Sequence, residues 1–299
     1  MNANGGMSTW AVRQERGSAC LIKFIAWLAL VSGRRVTRLL LYPITLYFLL
    51  FAPFARRSAR RYLDRVLGRP ATWKDVFRHF HCFAGTILDR VFLLKEKFDL
   101  FDIEVEGLDQ LHDAQTGGRG VILLGAHFGS FDAMRALARS ANSRELKVLM
   151  YDANASTVSA VLDAINPAFK KQIIPLGPPD SLIRVNEALC DGAMVGILGD
   201  RVTRGEKTFE VDFLGAPAKI ATAPWVLAAV TGAPVVVFSA VFDGDKGYKV
   251  QLRRLPVENG ARARDHEKGR QFAQSYIAIV EAWAREAPYN WFNFYDFWD

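Results

Sequence analysis

The chain has 299 residues, 51% of them apolar and 23% charged, with a formal net charge of +7. That composition excludes a disordered or low-complexity polymer and suits one domain of about 230 residues behind an amino-terminal extension. Three widely spaced cysteines, Cys20, Cys82 and Cys190, exclude a disulfide framework.

The charge sits at one end. Residues 1–70 hold twelve Arg or Lys against two acids, Glu15 and Asp64, a local net of +10, and the rest of the chain carries −3. A basic surplus confined to the amino end suits an anionic surface better than a nucleic-acid-binding domain. Residues 1–18 are polar and read as a flexible tail, and they lack the pattern of a cleaved signal peptide. Residues 19–61 read as a basic and apolar membrane-anchoring region. Leu39 to Ala55 has no charge over 17 residues, with Arg34, Arg35 and Arg38 before it and Arg56, Arg57, Arg60 and Arg61 after it. Spanning a bilayer needs ~20 apolar residues, and Pro43 and Pro53 would kink or end a helix. The segment is therefore predicted to lie in or dip into the cytoplasmic leaflet, with Trp27, Tyr42 and Tyr47 at headgroup level. A buried hairpin in a soluble core is the alternative.

Residues 62–299 are predicted to form an α/β domain. Tyr62 to Lys97 reads as an amphipathic helix, with Trp73, Val76, Phe77, Phe80, Phe83, Ile87, Val91 and Leu94 at helical spacing. On it, Arg78 and Arg90 face outward or line a site, and His79, His81 and Cys82 point in different directions, which argues against a metal site. A strand over Phe101–Glu106 and a short helix over Leu108–Gln115 follow. Strands are then predicted over residues 120–124, 147–151, 172–175, 193–198, 235–241 and 248–252. Helices are predicted over 131–142, 156–165, 179–190, 223–230 and 267–286. This alternation implies an α/β fold, a central sheet flanked by helices. Phe213 to Ala218 reads as a turn-rich link, and the aromatic-dense end, Pro288 to Trp298, as core packing or the wall of an acyl-chain tunnel.

The apolar run Val121–Leu124 leads into Gly125-Ala126-His127-Phe128-Gly129-Ser130-Phe131-Asp132. His127 thus falls beyond the carboxyl end of a strand, where open α/β sheets bind ligands. Asp132, in the first turn of the next helix, is expected to bend back to the imidazole, and a histidine held by a carboxylate is a general base. Gly125 and Gly129 leave space for a ligand beside the ring. The bland alternative is a turn-capping His and an Asp serving the helix dipole. A second cluster, Gly199-Asp200-Arg201 with Thr203-Arg204-Gly205-Glu206-Lys207, follows the 193–198 strand. It reads as a polar wall for a phosphate-bearing donor or headgroup, or else as a solvated loop. There is no Walker A loop, no G-x-G-x-x-G, no H-E-x-x-H and no G-x-S-x-G elbow.

Taken in order, His127-x4-Asp132, Gly199-Asp200-Arg201, Phe213-Leu214-Gly215-x-Pro217-Ala218 and Thr231-Gly232-Ala233-Pro234-Val235 resemble the late acyltransferases of lipid A biosynthesis. These lie within the wider lysophospholipid acyltransferase-like superfamily. The resemblance covers roughly residues 20–290 and implies a glycerol-phosphate acyltransferase-like mixed sheet. It implies His127 and Asp132 as a catalytic dyad, with Gly129, Ser130, Asp200, Arg201, Arg204 and Gly215 as substrate-binding positions. Three departures stand out. Asp132 takes the place of the more usual Glu, Tyr151-Asp152-Ala153-Asn154 replaces an Arg-Pro segment, and the carboxyl end is not basic. A divergent subgroup of this kind accompanies aryl-polyene and related pigment-lipid pathways.

The reaction implied is acyl transfer from a thioester, on acyl carrier protein or coenzyme A, to a hydroxyl of a membrane-bound lipid or glycolipid. It takes place at the cytoplasmic face of the inner membrane, with acyl carrier protein and anionic lipids as partners and no nucleic acid. No metal or redox cofactor is implied. His127 would take the hydroxyl proton, and amides of Phe128 and Gly129 are candidates to hold the oxyanion. A lipid ester hydrolase using the same dyad, and a non-catalytic membrane-binding protein on this scaffold, are the rivals.

Overall fold

Alternating apolar positions on the central strands divide the interior into two layers. Along β2 (Val121–Gly129), Ile122 and Leu124 join one buried cluster while Val121 and Leu123 join the other. Both faces of the strand are covered, which is why its sequence reads as a continuous apolar run. The computed structural model describes residues 19–134, 144–151, 166, 172–178, 180–203, 205–257 and 262–298. The predicted helix 156–165 and the tail 1–18 lie outside the described residues.

The seven-stranded sheet has the order β1 (Asp102–Glu106), β9 (Gly247–Leu255), β8 (Val235–Phe242), β2, β5 (Met194–Leu198), β3 (Leu146–Tyr151), β4 (Ile173–Leu176). Only the β8–β9 hairpin is antiparallel, so the sheet is mixed, as expected of this α/β fold. The chain sets β3, β4 and β5 on one side of β2 and β8 and β9 on the other. A crevice at the carboxyl ends of β2 and β5 is where such a reversal favours a ligand.

Two expectations are corrected here. The predicted helix over 62–97 is broken: α2 (Pro53–Leu67) ends at Gly68 in the left-handed conformation, and α3 (Trp73–Leu94) starts afresh. Thr72 and Asp75 form a capping box at that new start, which overrides the apolar periodicity running through the break. The turn-rich link is a hairpin of β6 (Thr208–Phe213) and β7 (Ala216–Ala221). Its two-residue turn, Leu214-Gly215, has positive φ at both positions (50° and 75°), as a tight hairpin requires. The rest of the helical frame is α4 (Leu108–Gln115), α5 (Ser181–Cys190), α6 (Ala223–Thr231) and α7 (His266–Glu286).

The amino-terminal helix α1 (Ala19–Phe51) kinks at Gly33, whose φ is 81°. Just beyond the kink, Arg34 makes a bidentate pair with the buried Asp89 of α3, at 2.6 and 2.8 Å, and Tyr248 donates to the same carboxylate at 2.9 Å. Burial opposes the Arg34 charge, but the Asp89 carboxylate outweighs it and raises the guanidinium pKa. Arg38 reaches the carbonyls of Gly244 and Asp245 in the β8–β9 turn. One face of α1 is thereby fixed to the α/β body. The opposite face exposes Leu39, Tyr42, Leu46, Tyr47, Leu50 and Phe51. Among the described residues no single helix is long and apolar enough to cross a membrane. Ile25–Phe51 and Pro53–Leu67 meet that length and composition only as a pair bent by 95°.

Candidate active site

The pairing of β2 with β8 slips between Gly125 and Gly129. Gly125 stands opposite Phe238 and Gly129 opposite Ala240, so β2 carries surplus residues and bulges, with His127 at the centre of the bulge. Both glycines are demanded by close approach. A Cβ on Gly125 would fall 2.4 Å from the Phe238 ring. One on Gly129, whose φ is +69°, would fall 1.8 Å from the Ala240 carbonyl oxygen.

On its other edge β2 pairs with β5 up to Gly125 opposite Leu198, and Gly199 N–H donates to the Gly125 carbonyl at 2.9 Å. Two residues farther along, His127 meets Asp200. The His127 backbone N–H donates to Asp200 Oδ2 at 3.0 Å, and ring Nδ1 lies 2.8 Å from Oδ1. The Trp291 indole N–H also donates to Oδ2, at 3.0 Å.

Burial pushes the Asp200 carboxyl up, but the His127 ring and N–H, with Arg201 nearby, outweigh it and hold the group at about 2. An ionised carboxylate only accepts, so Nδ1 carries the ring proton and Nε2 keeps its lone pair. Burial, helped by the Arg201 charge and opposed by Asp200, lowers the His127 pKa, so the ring is neutral at pH 7. The side chain remains 28% exposed. The geometry is that of an oriented neutral imidazole with one nitrogen open to a cavity.

The expected approach of Asp132 to the imidazole is not what the structure shows. Asp132 sits in a short 3-10 turn (Phe131–Met134), capped by Ser130 Oγ accepting the Ala133 N–H at 3.3 Å. Its carboxylate turns to α3, with Oδ2 2.8 Å from Arg90 Nε. Its Oδ1 is buried with no hydrogen-bond partner among the described residues. The carboxylate on the His127 ring is therefore Asp200. The physical reason is that Nδ1 is engaged by Asp200, while Arg90 offers the buried Asp132 a cation.

His127, Asp132, Arg90 and Arg201 share a cavity of about 300 Å³, whose apolar lining includes Leu149, Met150, Leu176 and Leu198. Gly129 and Ser130 line it too, but Gly129 N–H donates to the Asn290 carbonyl at 2.8 Å and so is not free for an oxyanion. Arg201 lines the cavity while donating to the Phe292 carbonyl at 3.4 Å. Gly215, expected at the site, belongs to the β6–β7 turn and is not among the cavity-lining residues. Arg204 lies outside the described residues. Thr203 and Glu206, from the second sequence cluster, line the cavity, and one contributor, Trp291, was not singled out from sequence. The Thr203 hydroxyl donates to Glu206 at 2.8 Å, folding their loop against the cavity. Trp291 arrives from the carboxyl end, whose aromatic density was the one signal for it. Among the described residues, no three His, Cys, Asp or Glu side chains come together as a metal site would require.

The family model described as bacterial lipid A biosynthesis acyltransferase matches residues 12–299. No curated protein matches the chain.

Proposed function

Because the chain belongs to the bacterial lipid A biosynthesis acyltransferase family, and is thus an acyltransferase acting on lipids, we propose that it carries a fatty acyl group from an acyl thioester to a hydroxyl of a glycolipid or other lipid acceptor. Acyl carrier protein or coenzyme A bears the thioester, and the reaction takes place at the cytoplasmic face of the inner membrane. The observation that carries this reading is the neutral His127 ring, fixed at Nδ1 and open at Nε2 in a largely apolar cavity.

In the proposed reaction Nε2 takes the acceptor's hydroxyl proton as its oxygen attacks the thioester carbonyl. The new C–O bond forms, the C–S bond breaks as the tetrahedral intermediate collapses, and the imidazolium returns the proton to the leaving thiolate. Base catalysis of this kind is typically worth ~10²–10⁴-fold. Asp200 keeps the ring in the productive tautomer and stabilises the imidazolium. Asp132 stays in the catalytic set as a second carboxylate, neutralised by Arg90 at the wall of the cavity. No acyl-enzyme is required, in keeping with a sequence that has no nucleophile elbow.

Membrane association is supported by α1, whose exposed apolar face lies beside arginines that suit anionic headgroups. The amino-terminal basic charge also suits an acidic carrier protein.

The test incubates the purified chain with an acyl thioester and a bacterial lipid extract, followed by mass spectrometry. One acceptor species should gain one acyl mass, and His127→Ala should abolish the gain. Free fatty acid with no acylated product would identify a hydrolase instead, and an unaffected His127→Ala would remove the proposed base.

A further inference from the structure

The carboxyl-terminal segment after α7 crosses the end of β2 and pairs with it at a single antiparallel bridge, Phe128 to Trp291. Gly129 N–H donates to the Asn290 carbonyl at 2.8 Å, Phe292 N–H donates to the His127 carbonyl at 2.7 Å, and Phe128 bridges Trp291 between them. The Asn290 side-chain amide clasps the backbone of Phe242, its oxygen accepting from the N–H at 2.8 Å and its NH₂ donating to the carbonyl at 3.1 Å. The strap is thus tied to the backbone of the histidine itself and to the strand beside it.

Trp291 is fully buried. Its indole is boxed by Tyr62, Phe213 and Phe297, with ring centroids 4.9, 5.0 and 4.8 Å away. Tyr62 is itself anchored, donating to the Pro288 carbonyl at 2.8 Å. These rings enclose the indole, and its one polar atom points at Asp200 Oδ2. Asp200 Oδ2 receives two donors, Trp291 Nε1–H and the His127 backbone N–H, which leaves Oδ1 directed at the imidazole.

We propose that Trp291 is a positioning residue for the acyl transfer: its indole N–H locks the Asp200 carboxylate in the rotamer that orients His127, so that the carboxyl-terminal strap completes the active site. The proposal rests on His127 acting as the base. Trp291 touches neither substrate nor the reacting atoms and acts through Asp200.

The test compares Trp291→Phe with wild type, with Asp200→Asn and with the double variant, each checked by thermal melting. Trp291→Phe removes the N–H and keeps an aromatic ring in the box. It should lower kcat about tenfold, the rate equivalent of one hydrogen bond to a charged group, with KM unchanged. In the Asp200→Asn background the same change should add little, because holding the side chain at position 200 no longer fixes the productive His127 tautomer. Equal, multiplicative losses in both backgrounds, or a full kcat in Trp291→Phe, would overturn the proposal and leave the indole as packing. If Trp291→Phe fails to fold, Trp291→His, which offers a ring N–H, replaces it in the same cycle and must retain more activity than Trp291→Leu. His127→Ala run alongside separates the two readings. An active His127→Ala sinks the base assignment, whereas an inactive one beside a fully active Trp291→Phe sinks only the role of the strap.

Discussion

His127 and Asp200, 73 residues apart in the chain, end neighbouring parallel strands and meet at 2.8 Å between ring Nδ1 and carboxylate Oδ1. The Asp200 side chain decides which ring nitrogen holds the proton. In Asp200→Asn the amide oxygen would keep the Trp291 and His127 N–H donors, turning its NH₂ toward Nδ1. The ring proton would then move to Nε2, and the base would be lost. We predict a fall in kcat of ~10³-fold or more, the scale seen when a carboxylate fixing a catalytic tautomer is neutralised. Steady-state kinetics with a saturating acyl thioester measure it, and a variant within threefold of wild type would contradict the assignment.

Much of this arrangement is legible in the sequence, and the unread part has a common cause. The apolar runs at 121–124 and 193–198 mark β2 and β5, and glycine on either side of His127 marks a place of close backbone approach. What cannot be read along the chain is that β5 lies beside β2, and this adjacency alone brings Asp200 to the ring. His127-x4-Asp132 suggests a local pair because the two are near in sequence, yet Arg90, on α3, takes the Asp132 carboxylate. The β6–β7 hairpin carries period-two burial at Phe209, Val211 and Phe213, alternating with exposed Glu210 and Asp212, but the unusual Leu214-Gly215 turn and Pro217 make the run read as a loop. Trp291 carries no motif at all, and its role depends on where the carboxyl end crosses the sheet.

Arg90 and Asp132 form the second charge pair of the cavity, and the Asp132 side chain is nearly buried. Arg90→Gln would leave that carboxylate without its cation, which is more costly than losing both charges. We predict that Arg90→Gln destabilises the fold by about 1–3 kcal/mol, the cost of a buried group left unpaired, and that adding Asp132→Asn recovers most of it. Urea unfolding of the four proteins measures the coupling. Additive losses would mean that the pair contributes nothing as a pair.

With His127 as the proposed base, its ring should set the acid side of the rate profile. Burial, then the Arg201 charge, lower its pKa. A base with a lowered pKa stays unprotonated to lower pH, so the acid limb of kcat/KM should lie below the ordinary histidine value of about 6.5. Arg201→Gln removes a cation that disfavours the imidazolium, so the limb should move to higher pH. A limb that stays in place, or moves down, would show that Arg201 does not act on the ring.

His79 gives a stability prediction independent of catalysis. It is fully buried on α3, and neither ring nitrogen has a hydrogen-bond partner among the described residues. Tyr62, Phe292 and Phe294 surround it at ring-centroid distances of 5.6, 6.1 and 5.0 Å. Burial lowers its pKa to about 3. In the unfolded chain it binds a proton below about 6.5, so in the window down to about 3 the unfolded state holds more protons. Stability therefore falls as pH falls through that window, by up to about 1.4 kcal/mol per pH unit from this group. His79→Phe should flatten the slope between pH 6 and 4 while keeping the ring packing. Denaturation at a series of pH values decides it, and an unchanged slope would show that His79 does not carry the acid sensitivity.

The apolar face of α1 makes the membrane reading testable without disturbing the fold. Leu39, Tyr42, Leu46 and Leu50 follow one another at helical spacing and are 67, 57, 48 and 53% exposed. On the opposite side Ala26, Ala29 and Leu41 pack against the body, and Arg34 is locked to Asp89. Deleting the helix would strip both sides at once and confound binding with folding. Leu39→Asp combined with Leu46→Asp touches only the outer face, so the melting temperature should stay the same. A carboxylate driven toward hydrocarbon is unfavourable and also repels anionic headgroups. We therefore expect co-sedimentation with phosphatidylglycerol-containing vesicles to be lost in the double variant, and activity on a membrane-embedded acceptor to fall with it. Undiminished vesicle binding would mean that this face covers something other than lipid, and the arginines of α2 would then be the next surface to neutralise.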